Sequence, residues 1–310
     1  MGESNFSNKN MVWYNGTLIP YKDVKIPILT HSLQYGSGIF EGIRSYPSSS
    51  GSNVFRLKEH MRRFLNSAKI YGMNLGYNQE QLFDAVIETV GANKIKSCYI
   101  RPFAFIDDDS ISISTKGKKV SVTVSVIPYD SIFGVDKLKG IRCKVSSWKR
   151  LNSSILPIQA KASGNYLNSI VAVNEAMKLG YNETIILSGN GYIAEGSGEN
   201  IFLVKDGKLV TPGDDSDVLL GITRDTIITI AKEMDFEVVL RNIHRDELYN
   251  ADEIFLCGTA AEVAPVIDVD GNMIGDGKAG EITSKISGAY DKTVNGDNQK
   301  HPDWISAVEF

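Results

Sequence analysis

Cysteine is scarce in this chain of 310 residues: Cys98, Cys143 and Cys257 are the only three, far apart and odd in number. That argues against a disulfide framework and a cysteine-built zinc site, and it fits a reducing cytoplasm. Histidine is nearly as scarce. His31, His60, His244 and His301 show no HExxH or i,i+4 pairing, so each reads as a structural or surface residue and no metal is expected. No apolar run approaches the length needed to cross a bilayer, so no membrane partner is expected. The first ten residues, MGESNFSNKN, lack the apolar core of a secretion signal. A myristoylation pattern opens at Met1-Gly2 but fails at Phe6, where Ser or Thr is required. Neither charge sign dominates: 33 Lys+Arg against 37 Asp+Glu leave a net charge of −4, which argues against a nucleic-acid protein. Tandem repeats and low-complexity tracts are absent.

What is present suits a globular enzyme-sized chain. Apolar residues make up 42% and charged residues 23%, enough to bury a sizeable core in one large domain or two ordinary ones. Strand patterns open the chain at MVWY and TLIP around an Asn-Gly turn. Helical spacing follows over Arg56–Tyr71 and after Asn78, which reads as an N-cap with Gln81 three residues on. Over Lys119–Ile127 valines alternate strictly with polar residues, as in a strand. The pattern breaks at PYDSIFGVDKLKG, which reads as a connection between domains. Helices are then expected over about Asn165–Leu179, Thr223–Met234 and Glu281–Thr293, mixed with short strands. Regular βαβ alternation is missing, so the fold class is α+β with two domains: residues 1–128, a connecting loop 129–139, and 140–310.

Familiar catalytic signatures fail. SGNGYIAEGSGEN is glycine-rich but matches neither GxGxxG nor GxxxxGK[ST], and no GxSxG elbow occurs. Four small-residue segments remain. In QAKASGNY, Lys161 sits among Ala160, Ala162, Ser163 and Gly164. A lysine in a crowded pocket is desolvated, which disfavours the ammonium form and suits Schiff-base chemistry. In GYIAEGSGEN, Glu195 lies between Ala194 and Gly196 and can approach a flat ring, where a carboxylate facing a pyridine nitrogen keeps it protonated. In LLGITRD, Gly221 permits close approach, Thr223 is a natural N-cap, and the N–H groups of Ile222 and Thr223 suit a phosphate. In CGTAAE, Gly258, Thr259 and Ala260 could cradle an anion. Singly, each also reads as a solvated lysine, a turn glutamate, a helix cap or a strand-to-helix turn. Together they suit pyridoxal phosphate better than a nicotinamide or a metal.

Seven segments in order carry a resemblance: YGSGIFEGIRSY, FRLKEHMRRFLNSAKIY, YIRP, AKASGNYLNS, EGSGENIF, GITRD and CGTAAEVAPV. The chain resembles the branched-chain-amino-acid aminotransferases, in the fold-type-IV group of pyridoxal-phosphate enzymes. The resemblance implies a two-domain fold-type-IV architecture and transamination of leucine, isoleucine and valine with 2-oxoglutarate by a ping-pong route. It also implies a homo-oligomer, at least a dimer, in which the small domain of one subunit helps complete the partner's pocket. D-amino-acid aminotransferases, R-selective amine transaminases and aminodeoxychorismate lyases share that fold; YGSGIFEGIR and YIRP favour the branched-chain reading.

Residue by residue, the resemblance implies that Lys161 carries the cofactor and moves the proton. Tyr166 meets the cofactor's phenolic oxygen and Glu195 its ring nitrogen. Arg63, Ile222, Thr223 and Thr259, with Gly221 beside them, hold the phosphate, and Leu219 packs on the ring. Tyr99, with the backbone of Thr259 and Ala260, takes the substrate α-carboxylate; Tyr35, Phe40 and Gly42 form the apolar pocket. Arg101 takes the second carboxylate of glutamate. Many relatives carry PWGxYLG where this chain has PYDSIFG, with Tyr129 at the tryptophan position and Ile132 at the second aromatic position. The loss of that tyrosine hydroxyl leads us to expect weaker use of 2-oxoglutarate.

Overall fold

The computed structural model describes residues 10–129 and 139–310. Two compact units divide these residues. One holds 10–129, 160–164 and 293–310; the other holds 139–159 and 165–292. The simple division at 128 and 140 therefore differs from the folded one in two places. Residues 160–164 and the C-terminal stretch belong with the first unit.

In the first unit β1 (Met11–Tyr14) and β2 (Thr17–Pro20) form a hairpin, followed by the short helix α1 (His31–Tyr35). Next come β3 (Gly38–Phe40), β4 (Ile43–Pro47) and β5 (Gly51–Phe55). Helices α2 (Leu57–Ile70) and α3 (Gln79–Asn93) follow, then the long strands β6 (Cys98–Ile106) and β7 (Val120–Pro128). The sheet runs from a C-terminal strand (Ile305–Glu309) through β5, β4, β6, β7 and β1 to β2, with β3 also paired to β6. The C-terminal strand belongs here because it lies antiparallel on β5, from Ile305 opposite Phe55 to Glu309 opposite Gly51. Arg56 fixes the same junction: its N–H donates to the Trp304 carbonyl at 2.6 Å and its guanidinium lies over the Trp304 ring.

The expected capping box is present. Asn78 Oδ1 accepts from the Gln81 N–H and Gln81 Oε1 accepts from the Asn78 N–H, both at 2.9 Å, satisfying two N–H groups at the start of α3. Along β7, Val122, Val124 and Val126 are buried in the core as the alternation predicts, but Ser121 and Thr123 are buried too. Ser121 is accommodated by hydrogen bonds with Asn15 and Asp107, so β7 is covered on both faces. Leu57, Met61, Phe64 and Ala68 give α2 its core-facing stripe.

The second unit is built on β8 (Ile141–Lys149), helix α4 (Tyr166–Lys178), β9 (Glu183–Leu187), β10 (Ile193–Gly196), β11 (Asn200–Lys205) and β12 (Lys208–Thr211). Helix α5 (Ile222–Glu233), β13 (Val238–Leu240), β14 (Glu253–Gly258), β15 (Glu262–Val269), β16 (Asn272–Met273) and α6 (Glu281–Val294) follow. The sheet order is β10-β9-β8-β15-β14-β11-β12-β13, with β16 on β15. Parallel pairs (β8 with β9 and β15, β12 with β13) sit among antiparallel ones, which is the mixed α+β arrangement expected. All three cysteines are free and buried. Burial pushes the Cys98 thiol up to about 11 and the other two higher still, so they are inert packing groups.

Candidate active site

Helix α2 builds the first group of residues. His60, Arg63 and Ser67 recur at three- and four-residue spacing and share one face. Ser67 Oγ donates to the Arg63 carbonyl and accepts the Lys161 N–H, each at 3.0 Å. The Lys161 carbonyl in turn accepts from the Phe40 N–H at 2.9 Å, and Ala162 bridges to Ile39. Residues 160–164 are thus added to the edge of β3, which explains their membership of this unit. The Lys161 amine lies 5.1 Å from the centre of the Phe40 ring.

Arg63 is not a surface arginine. Its Nε donates to Glu41 Oε1 at 2.6 Å and its Nη2 to Glu41 Oε2 at 2.9 Å, a side-on bidentate pair. Glu41 is fully buried between Phe40 and Gly42. Burial pushes its carboxyl up, but Arg63 and then His60 outweigh that and hold it well below the ordinary range. His60 Nδ1 lies 2.7 Å from Glu41 Oε2. An ionised carboxylate only accepts, so the proton sits on Nδ1. Burial lowers the His60 imidazole below its ordinary value; Glu41 pulls it up, and Arg63 and Lys161 push it down again.

Phe40, Gly42, Tyr99, Arg101 and Tyr129 lie together in the first unit. Added to Gly42, a Cβ would meet the Tyr99 hydroxyl at 1.9 Å, so only glycine allows this approach. The Arg101 guanidinium lies 4.4 Å from the Phe40 ring centre and 5.2 Å from that of Tyr99, and its Nη2 donates to the Tyr99 hydroxyl at 3.3 Å. Its buried Nε has no hydrogen-bond partner among the described residues. Tyr129 stacks at a tilt on Tyr99, 5.5 Å between centres. Ile132 lies outside the described residues. Tyr35 does not join this group: it is exposed at the end of α1, its hydroxyl donates to the Ile111 carbonyl, and its ring lies against His31.

The second unit carries the other group. Glu195, on β10, is buried, and its carboxylate is held from three sides. Arg150 Nε donates to Oε1 at 2.6 Å, while Asn200 Nδ2 and the Leu219 N–H donate to Oε2 at 3.2 Å each. Three donors, one of them the Arg150 guanidinium, fix this buried carboxylate in place. Arg150 also reaches Asn168 in the first turn of α4, the turn that begins with half-buried Tyr166.

Asn200 Nδ2 further donates to the Leu219 carbonyl, tying the loop before α5 to β11. The N-cap of α5 is Gly221, not Thr223, and no side chain caps it. A Cβ on Gly221 would meet Asn200 Oδ1 at 2.0 Å, so the glycine is required by this close approach. Ile222 and buried Thr223 occupy the first turn, where N–H groups and the helix dipole favour an anion. Thr259 and Ala260 lie in the short turn joining β14 to β15, closed by Glu262 in the left-handed region.

Sequence reasoning missed Glu41, His60, Ser67, Arg150 and Asn200. Glu41 carried one legible signal, an acidic residue inside the otherwise apolar run GIFEGI. Arg150, in the charged stretch WKRLN, looks like a solvated residue until its partner is placed.

Comparison with known proteins adds the family. The family described as Amino-transferase class IV matches residues 38–269. The branched-chain-amino-acid aminotransferase of Salmonella typhimurium is 42% identical over 299 residues, covering 96% of this chain and 97% of that one. The crystal structure of the Escherichia coli branched-chain amino acid aminotransferase superposes with a TM-score of 0.94 at 40% identity, covering 97% of this chain and 100% of that one. The branched-chain amino acid aminotransferase of Thermobaculum terrenum, solved in its PLP-bound holo-form, gives a TM-score of 0.91 at 32% identity, covering 98% and 99%.

Proposed function

The chain belongs to the class IV aminotransferases, among the branched-chain-amino-acid aminotransferases, and from this we propose a pyridoxal-phosphate enzyme that exchanges amino groups between leucine, isoleucine or valine and 2-oxoglutarate. The observation that carries the reading is the buried Glu195 carboxylate, fixed by Arg150, Asn200 and the Leu219 N–H. A pyridine ring whose nitrogen meets such a carboxylate is kept protonated. The other residues fit the same cofactor. Gly221, the N-cap of α5, lets the Asn200 side chain approach, and Ile222, Thr223, Thr259 and Arg63 would supply phosphate donors. Leu219 would pack on the ring and Tyr166 would hydrogen-bond its phenolic oxygen.

When bound, pyridoxal phosphate supplies an electron-withdrawing ring that accepts the electron pair left as the substrate Cα proton departs. Lys161 is the attachment point and the base that moves that proton. Tyr99, with the Thr259 and Ala260 backbone, holds the α-carboxylate, while Phe40 and Gly42 form apolar walls for a branched side chain. The second substrate brings a carboxylate to those walls, which is costly unless paired. Arg101 answers it: its buried Nε, without an acceptor among the described residues, gains one when a second carboxylate arrives. The two half-reactions run in turn, the first product leaving before the acceptor enters.

The proposed enzyme acts in the cytoplasm as a homo-oligomer of at least two chains, and Tyr35, exposed and outside its own chain's cluster, suits a residue offered to a partner's substrate. An activity matrix tests the whole reading. L-leucine, L-isoleucine and L-valine with 2-oxoglutarate should react, and D-alanine and an R-amine should not. Borohydride should fix the cofactor to Lys161, and Lys161→Ala should lower kcat about 10,000-fold. A Lys161→Ala protein that still transaminates overturns the assignment.

A further inference from the structure

We propose that Glu41 is a positioning residue for the cofactor phosphate, acting through Arg63, with His60 as the third member of the device. This rests on the reading of Arg63 as a phosphate ligand. A guanidinium offers five donors in a rigid plane, and a side-on pair through Nε and Nη2 fixes both its position and its rotation. Glu41 takes that edge, so the end of the guanidinium beyond it is set in one direction. Glu41 is itself immobilised. Its carboxylate accepts from His60 Nδ1 and from the Gly42 N–H at 3.2 Å, and its own N–H donates to the Pro102 carbonyl at 2.9 Å.

The arrangement is costly unless it has a use. Glu41 and His60 are buried and Arg63 is largely withdrawn from water at 15% side-chain exposure, where apolar residues of similar volume would pack without desolvating charge. A freely rotating Arg63 would have to be ordered at each binding event, and Glu41 removes that cost beforehand. Glu41 also cancels part of the Arg63 charge. Orientation and charge therefore predict opposite effects of removing it: loss of orientation weakens phosphate binding, and loss of the negative charge strengthens it. The side-on geometry points to orientation as the dominant effect.

The test compares pyridoxal phosphate with pyridoxal, which lacks only the phosphate. Dissociation constants for both are measured by absorbance titration after cofactor removal, for the wild-type protein, Glu41→Gln, Arg63→Gln and the double variant. Glu41→Gln should weaken pyridoxal phosphate about tenfold, the size typical of lost outer-shell support, and leave pyridoxal unchanged. In the Arg63→Gln background the same change should add nothing, because its route is gone. Unchanged or tighter pyridoxal phosphate binding by Glu41→Gln overturns the proposal. Equal weakening of both ligands also overturns it, since that marks general damage, and so does full additivity in the double variant. Arg63→Gln with undiminished preference for the phosphorylated ligand instead overturns the assignment of Arg63 and this proposal with it. If Glu41→Gln does not fold, Glu41→Asp keeps the charge but withdraws it by one methylene. It should weaken pyridoxal phosphate alone, and unaltered affinity there overturns the proposal.

Discussion

Arg150 Nε lies 2.6 Å from Glu195 Oε1, and both side chains are more than nine-tenths buried. Removing one member of such a pair strands the other charge away from water, at about 3–5 kcal/mol. Arg150→Met should lower the thermal unfolding midpoint sharply and reduce kcat/KM about 10- to 100-fold. The double variant Arg150→Met with Glu195→Gln should regain much of the lost stability without regaining activity, because no isolated charge is left. Calorimetry with steady-state kinetics on the three proteins checks both halves.

Gly42 sets how closely the backbone approaches Tyr99. An alanine methyl would fall 1.9 Å from the tyrosine hydroxyl, so the ring must shift. Overpacking of this kind costs about 1–3 kcal/mol. Gly42→Ala should raise KM for L-leucine about tenfold, in keeping with that cost, while borohydride still fixes the cofactor to Lys161. Kinetics and mass mapping of the labelled peptide decide it.

Acid should destabilise the protein in two stages. Folding lowers the His60 imidazole below its ordinary 6.5 and the Glu41 carboxyl below its ordinary 4.5. In both cases the unfolded chain binds protons first as pH falls, so stability is full above the ordinary value and is lost below it. Unfolding free energy should fall from below about pH 6.5 through His60, then more steeply below about pH 4.5 through Glu41. His60→Gln should flatten the first stage and leave the second, as denaturant melts across pH would show.

The family resemblance implies an aromatic residue at the position of Ile132 in PYDSIFG. Ile132→Tyr should raise kcat/KM for 2-oxoglutarate while leaving that for L-leucine close to wild type. Paired kinetics measure the ratio, and an unchanged ratio rules out this explanation of acceptor preference.

The sequence made legible what depends on local pattern or on tightly spaced motifs. The Asn78 capping box, the valine alternation of β7 and the glycine at the head of α5 are short-range features, and each could be named before its neighbours were known. Lys161 and Glu195 stood out because small residues crowd them. What stayed hidden depends on distant partners. Arg150 and Glu195 are 45 positions apart, and Glu41 and Arg63 are 22 apart. A buried ion pair has no signature in either segment alone. The C-terminal strand escaped for the same reason, since ISAVE becomes a strand only against the edge of β5.

That pairing bears on how the protein is made. Strand β5 emerges early in synthesis, yet its neighbour on one side is Ile305–Glu309, translated after the whole second unit. Until then the nascent first unit presents an open strand edge, a template for unwanted pairing. Residues 160–164, which line β3 in the finished fold, also arrive late. The first unit is therefore completed only when the strand Ile305–Glu309, translated after the second unit, pairs with β5.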